Sequence, residues 1–113
     1  MILVIGGIAS GKRAYVQSLG YEDEQVGHAL ASDKPVLYGL ESCLKAGDLT
    51  TDELEALTSK DVVVCCEVGQ GVVPIDATDR AWQERVGRTC CVLAQRASKV
   101  VRMVCGIPVY IKE

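Results

Sequence analysis

Met1-Ile2-Leu3-Val4-Ile5 runs directly into Gly6-Gly7-Ile8-Ala9-Ser10-Gly11-Lys12-Arg13, and few chain segments leave so little freedom of fold. An unbroken apolar run of this kind belongs to a strand buried on both faces, as in a parallel sheet. The glycines that follow end the strand. A helix is expected from Lys12 to Leu19, with Gly20 in the left-handed position behind it. Strand, glycine loop and helix in that order commit the chain to an α/β architecture.

The spacing Gly6, four residues, Gly11, Lys12 is also that of a phosphate-binding loop. Glycines let successive backbone N–H groups converge on phosphate oxygens, and the lysine adds a formal charge. Gly6, Gly7, Ile8, Ala9, Ser10, Gly11, Lys12 and Arg13 are therefore the candidate contacts to the phosphates of ATP or GTP, with Lys12 the candidate catalytic cation. Arg13 stands where the pattern carries a Ser or Thr whose hydroxyl ligates Mg²⁺. A guanidinium cannot ligate a cation, although it can meet a phosphate directly. Anion binding survives that change better than catalysis does, and no metal ligand is assigned.

The rest of the chain continues the alternation. Residues 21–34 are polar and are expected to form a loop or short helix. Pro35-Val36-Leu37-Tyr38 restarts a strand, followed by a helical turn over residues 42–46 closed by Gly47. Thr50 with Glu53 three positions on is a capping-box pattern for a helix over residues 51–59. Val62-Val63-Val64-Cys65-Cys66 is the clearest strand, expected at the centre of the sheet. Gly69 and Gly71 mark an irregular loop.

Trp82, Val86, Cys90, Leu93 and Ala97 recur at helical spacing over residues 77–98, with Asp76 or Thr78 available as cap. Gly87 inside that helix calls for a reason such as close backbone approach. Strands over residues 100–105 and 109–112 flank Gly106-Ile107-Pro108, a connection short enough to permit only antiparallel pairing. Pro108 places the last strand at an edge. The expected fold is a three-layer P-loop-type α/β sandwich: one domain over residues 1–113, a mostly parallel sheet and a C-terminal antiparallel hairpin.

Composition narrows the classes. The aromatics are four Tyr and one Trp with no Phe, so the core is built from aliphatic residues and cysteine. Cys65-Cys66 and Cys90-Cys91 lie inside a strand and a helix rather than at metal-ligand spacing, which makes them small reduced hydrophobes rather than a redox or zinc site. The N-terminal apolar run is too short for a signal peptide or a membrane span, and a cytoplasmic protein is expected. A net charge of −3 argues against nucleic acid as partner. Its distribution is uneven: residues 14–79 carry 13 acidic and 3 basic side chains, residues 80–113 carry 7 basic and 2 acidic. The basic third would meet a phosphorylated ligand or an acidic neighbouring subunit.

Four ordered segments carry a resemblance. Gly6-Gly7-Ile8-Ala9-Ser10-Gly11-Lys12, then Glu67-Val68-Gly69-Gln70-Gly71-Val72-Val73-Pro74, then Asp79-Arg80 through Gly87, then Gly106-Ile107-Pro108-Val109 with Lys112 resemble the adenosylcobinamide kinase/adenosylcobinamide-phosphate guanylyltransferase family of cobalamin biosynthesis. The resemblance implies phosphorylation of a corrinoid side chain from ATP or GTP, then GMP transfer from GTP through a guanylylated histidine, in a homo-oligomer, a trimer in the family. His28 is the only histidine and so the candidate covalent site. The family's acidic metal residue falls on Gly39, leaving Glu41 as a stand-in. Glu67 and Arg80 are further candidates. The chain is shorter than the family pattern between the first helix and the third strand region. The alternative is a catalytically degenerate member that binds nucleotide or anion, or partners a complete enzyme.

Overall fold

A computed structural model describes residues 1–68 and 77–113. The expected loop at Gly69 and Gly71 and the cap at Asp76 lie outside the described residues. Strand β1 (Ile2–Gly6) leads through the glycine loop into helix α1 (Lys12–Ser18). A 3-10 turn at Asp23–Gln25 precedes the two-residue strand β2 (Val26–Gly27), which was not anticipated from the sequence. Strand β3 (Val36–Tyr38) is followed by helices α2 (Leu40–Cys43) and α3 (Thr51–Thr58) and by strand β4 (Val62–Cys66). Helix α4 (Ala77–Arg96) leads to β5 (Lys99–Val104) and β6 (Ile107–Lys112).

The six strands form one sheet in the order β2-β3-β4-β1-β5-β6. Every neighbouring pair is parallel except β5 with β6. Alternation along the strands divides the core into two. Leu3, Leu37, Val63, Cys65 and Val100 face α2, α3 and α4 through Leu40, Leu44, Leu57, Val86 and Leu93. Val4, Val36, Val62, Val64, Val101 and Met103 face α1 through Tyr15 and Val16. Helices therefore cover both faces, and the three-layer arrangement expected from the alternation is present. Burial on both faces is why β1 and β4 read as continuous apolar runs.

Several local expectations change. The turn after β3 begins two residues early, at Leu40, because Gly39 at φ 88° starts it directly behind the strand. Thr78 lies within α4 rather than capping it. No described atom would lie within 4 Å of a Cβ on Gly87, so the expected close backbone approach is not found among the described residues. The hairpin turns at Cys105 and Gly106, both at positive φ (51° and 79°), so β6 starts at Ile107. Two left-handed residues match the right-handed twist of the flanking strands. The capping box is present as read: Thr50 Oγ1 accepts from the Glu53 amide at 3.1 Å and Glu53 Oε1 accepts from the Thr50 amide at 2.9 Å. Among the described residues no helix is long and apolar enough to cross a membrane.

Candidate functional site

The candidate residues gather beyond the carboxyl ends of the parallel strands, where open α/β sheets bind ligands. Gly6 ends β1, Gly27 precedes His28, Tyr38 ends β3 ahead of Glu41, and Cys66 ends β4 ahead of Glu67.

The loop is held in an unusual shape by close backbone packing. Ala9 sits at φ 55° and Gly11 at φ 95°; the left-handed region costs a non-glycine residue about 1–2 kcal/mol. A Cβ on Gly6 would lie 2.5 Å from Ser10 Oγ and 3.0 Å from the Met103 carbonyl oxygen. Ser10 Oγ is itself buried with no partner among the described residues. The Gly106 amide donates to the Ser10 carbonyl at 2.9 Å, so the β5–β6 turn braces the loop. Among the described residues no protein acceptor takes the amides of residues 7–13.

Lys12 is only 6% exposed. Its Nζ donates to the carbonyls of Gly7, at 2.5 Å, and Gly6, at 3.3 Å. Among the described residues it has no carboxylate partner. A buried ammonium is costly unless paired, and here it is answered only by dipoles. The Gly6 carbonyl also accepts from the Glu67 amide at 2.7 Å, which ties the exit of β4 to the loop.

Two depressions adjoin at this lysine. One, of about 190 Å³, is lined by Ile8, Lys12, Tyr38, Glu41 and Cys66 among others. The second, of about 300 Å³, is lined by residues 9–14 and Tyr38. Tyr38 is thus the shared wall, a residue that sequence reasoning passed over because it reads as the end of a strand. The Arg13 guanidinium lies 5.1 Å from the Tyr38 ring centroid and donates to Asp23 Oδ1 at 3.2 Å. On its other side Tyr38 meets His28 edge to face, centroids 6.1 Å apart.

The other candidates are placed as follows. His28 is exposed and lines a shallow hollow with Leu30, Ser42 and Cys43. Glu41 faces Lys12 across the smaller depression, with Oε1 already accepting from the Cys66 amide at 2.8 Å. Glu67 has both carboxylate oxygens held by Arg102, which donates to them at 3.0 and 3.2 Å. Arg102 was not singled out from the sequence; an arginine inside an apolar strand was the available signal. Arg80 is exposed on the first turn of α4, with no hydrogen bond or ion pair among the described residues.

Among the described residues the donor set does not fit Mg²⁺. Position 13 offers a cation where a hydroxyl would be needed, position 39 offers no side chain, and one carboxylate oxygen of Glu41 is already engaged. Among the described residues no cluster of three His, Cys, Asp or Glu could hold a metal. Cys65 and Cys66 are unactivated: a hydrogen bond to Cys90, then burial, pushes the Cys65 thiol far up, and burial raises Cys66, while the same hydrogen bond lowers the Cys90 thiol. The arrangement sets a buried ammonium, a guanidinium at the rim and amides with no acceptor among the described residues around one depression, groups that suit an anion.

The model of one protein family, described as cobinamide kinase / cobinamide phosphate guanyltransferase, matches residues 26–111. The match begins behind the glycine loop, at the start of β2, and ends within β6. Among curated proteins no match to the chain is found.

Proposed function

The chain belongs to the cobinamide kinase / cobinamide phosphate guanyltransferase family, and from that premise we propose that it holds the phosphates of ATP or GTP in residues 6–13 and serves transfer from that nucleotide to a corrinoid side chain. The observation that supports this most is Lys12, buried with no carboxylate partner among the described residues, beside amides that have no acceptor among them. Lys12 would neutralise and orient the terminal phosphates. Glu41, across the depression, would face a substrate hydroxyl. His28, joined to the loop through the edge of Tyr38, is the residue for a covalent nucleotide. No step is assigned to Mg²⁺.

The test is to incubate the protein with γ-labelled ATP or GTP and adenosylcobinamide and to separate the products. Labelled cobinamide phosphate, absent with Lys12→Ala, is expected. Nucleotide binding without product would favour the second reading, a member that binds nucleotide without turning it over. Arg13, Gly39 and the closed Glu67–Arg102 pair speak for that second reading.

We further propose that copies of the chain associate along β6. Among the described residues that strand pairs only with β5. Ile107, Val109, Tyr110 and Ile111 on it and Val104 beside it are 64%, 46%, 46%, 58% and 43% exposed. Their exposed apolar side chains give a second copy a surface to cover. The unused edge supplies backbone hydrogen bonds as well.

A further inference from the structure

We infer that Arg13 takes the place of the divalent cation at this phosphate loop, so that the chain binds the polyphosphate of its nucleotide as the metal-free anion. The inference rests on the nucleotide reading above and adds to it the ionic form of the ligand.

Arg13 and Lys12 line the same depression of about 300 Å³. The guanidinium is kept at its rim by the Tyr38 ring on one side and Asp23 on the other. Neither restraint closes it to a ligand. The Arg13–Asp23 pair is solvent-exposed on both sides, 49% and 72%, and pairs of that kind contribute about 0–1 kcal/mol. A phosphate group offers a guanidinium two oxygens at matching spacing and a higher charge than one carboxylate. The cation–π contact with Tyr38 holds the group near the depression while Asp23 is exchanged.

A fixed guanidinium at this place also works against a dication. Like charges repel, and among the described residues the oxygen ligands that would offset that repulsion are missing: no hydroxyl at Arg13, no carboxylate at Gly39, and a Glu41 oxygen committed to the Cys66 amide. Lys12 and Arg13 therefore supply both formal positive charges that face the phosphates, and Mg²⁺ bound to a nucleotide has to be given up before the loop can be filled.

The experiment is equilibrium binding of ATP and of inorganic tripolyphosphate, each in EDTA and in excess Mg²⁺, to the unaltered chain, Arg13→Ser, Arg13→Lys and Asp23→Asn. The unaltered chain is expected to bind several-fold more tightly in EDTA. Arg13→Ser, which restores the hydroxyl, should lose about tenfold in EDTA and become tighter with Mg²⁺ than without. Arg13→Lys should keep the preference for EDTA, and Asp23→Asn should bind a few-fold more tightly by freeing the guanidinium. Tight binding by the unaltered chain only with Mg²⁺, or an Arg13→Ser variant with the parent's metal dependence, overturns this inference alone. No binding in either buffer overturns the nucleotide reading and this inference together.

Discussion

Gly11 and Gly106 meet backbone to backbone: a Cβ on Gly11 would stand 2.9 Å from Gly106 Cα, and the Gly106 amide holds the neighbouring Ser10 carbonyl at 2.9 Å. The glycine loop behind β1 is therefore shaped by the β5–β6 hairpin turn. Gly11→Ala combines that overlap with a φ of 95° that alanine tolerates poorly. It should cost about 2–3 kcal/mol in denaturant unfolding and weaken phosphate binding as well. Gly106→Ala meets open space but shares the positive φ, so it should cost about 1 kcal/mol.

Arg102 and Glu67 form a two-pronged ion pair across β1, and Glu67 is only 17% exposed in its side chain. Arg102→Leu should destabilise by about 1–3 kcal/mol, because a partly buried carboxylate loses its partner. Glu67→Gln combined with Arg102→Leu should recover part of that loss. A double-mutant cycle with no coupling would show that the pair is incidental.

Tyr15 makes stability fall in alkali. Burial, then the 3.4 Å hydrogen bond with the Tyr110 hydroxyl, raises its phenol from 10.0 to about 12. The neutral form is favoured in the fold, so the contribution is complete below pH 10 and is lost as the pH climbs from 10 toward 12. Solvent screening leaves on the order of 1 kcal/mol. The melting temperature should drop over that interval, and Tyr15→Phe should flatten the drop. Tyr21, raised by burial and then by Asp61, leaves a residual slope.

His28 should carry label after incubation with GTP labelled in its α-phosphate, in an acid-labile form that His28→Ala abolishes. Label that survives the substitution would remove His28 from the proposed chemistry.

Sedimentation equilibrium should give a multiple of the 12.1 kDa protomer. Ile107→Lys with Ile111→Lys, both at exposed positions, should return it to the protomer mass without loss of fold. A protomer mass for the unaltered chain would contradict association along β6.

The sequence made the frame legible where one kind of residue repeats without interruption. Residues 2–5 and 62–66 could only be buried strands, Thr50 with Glu53 announced its helix, and Gly106 with Pro108 announced an edge hairpin. The turn from β1 into α1 was legible because glycines that follow an apolar run end the strand, and their spacing with Lys12 is the one that phosphate-binding loops share. Strand β2 was not, since two residues carry no periodicity and the strand exists through its pairing of Val26 with Val36. Nor were the contacts that give the site its character. Glu67 with Arg102, Tyr38 with Arg13, and Gly11 with Gly106 are far apart in sequence, and they meet because the sheet order sets β3 and β4 on one side of β1 and β5 and β6 on the other. Glu67 looked free to assist chemistry until that order placed Arg102 against it.

The most direct test of the phosphate loop is calorimetric titration of tripolyphosphate into the unaltered chain and into Lys12→Ala at low ionic strength, with thermal melts confirming that both are folded. The account predicts saturable binding to the unaltered chain and at least a tenfold loss in Lys12→Ala. Equal affinity in the two proteins, or none in the unaltered chain, would contradict it.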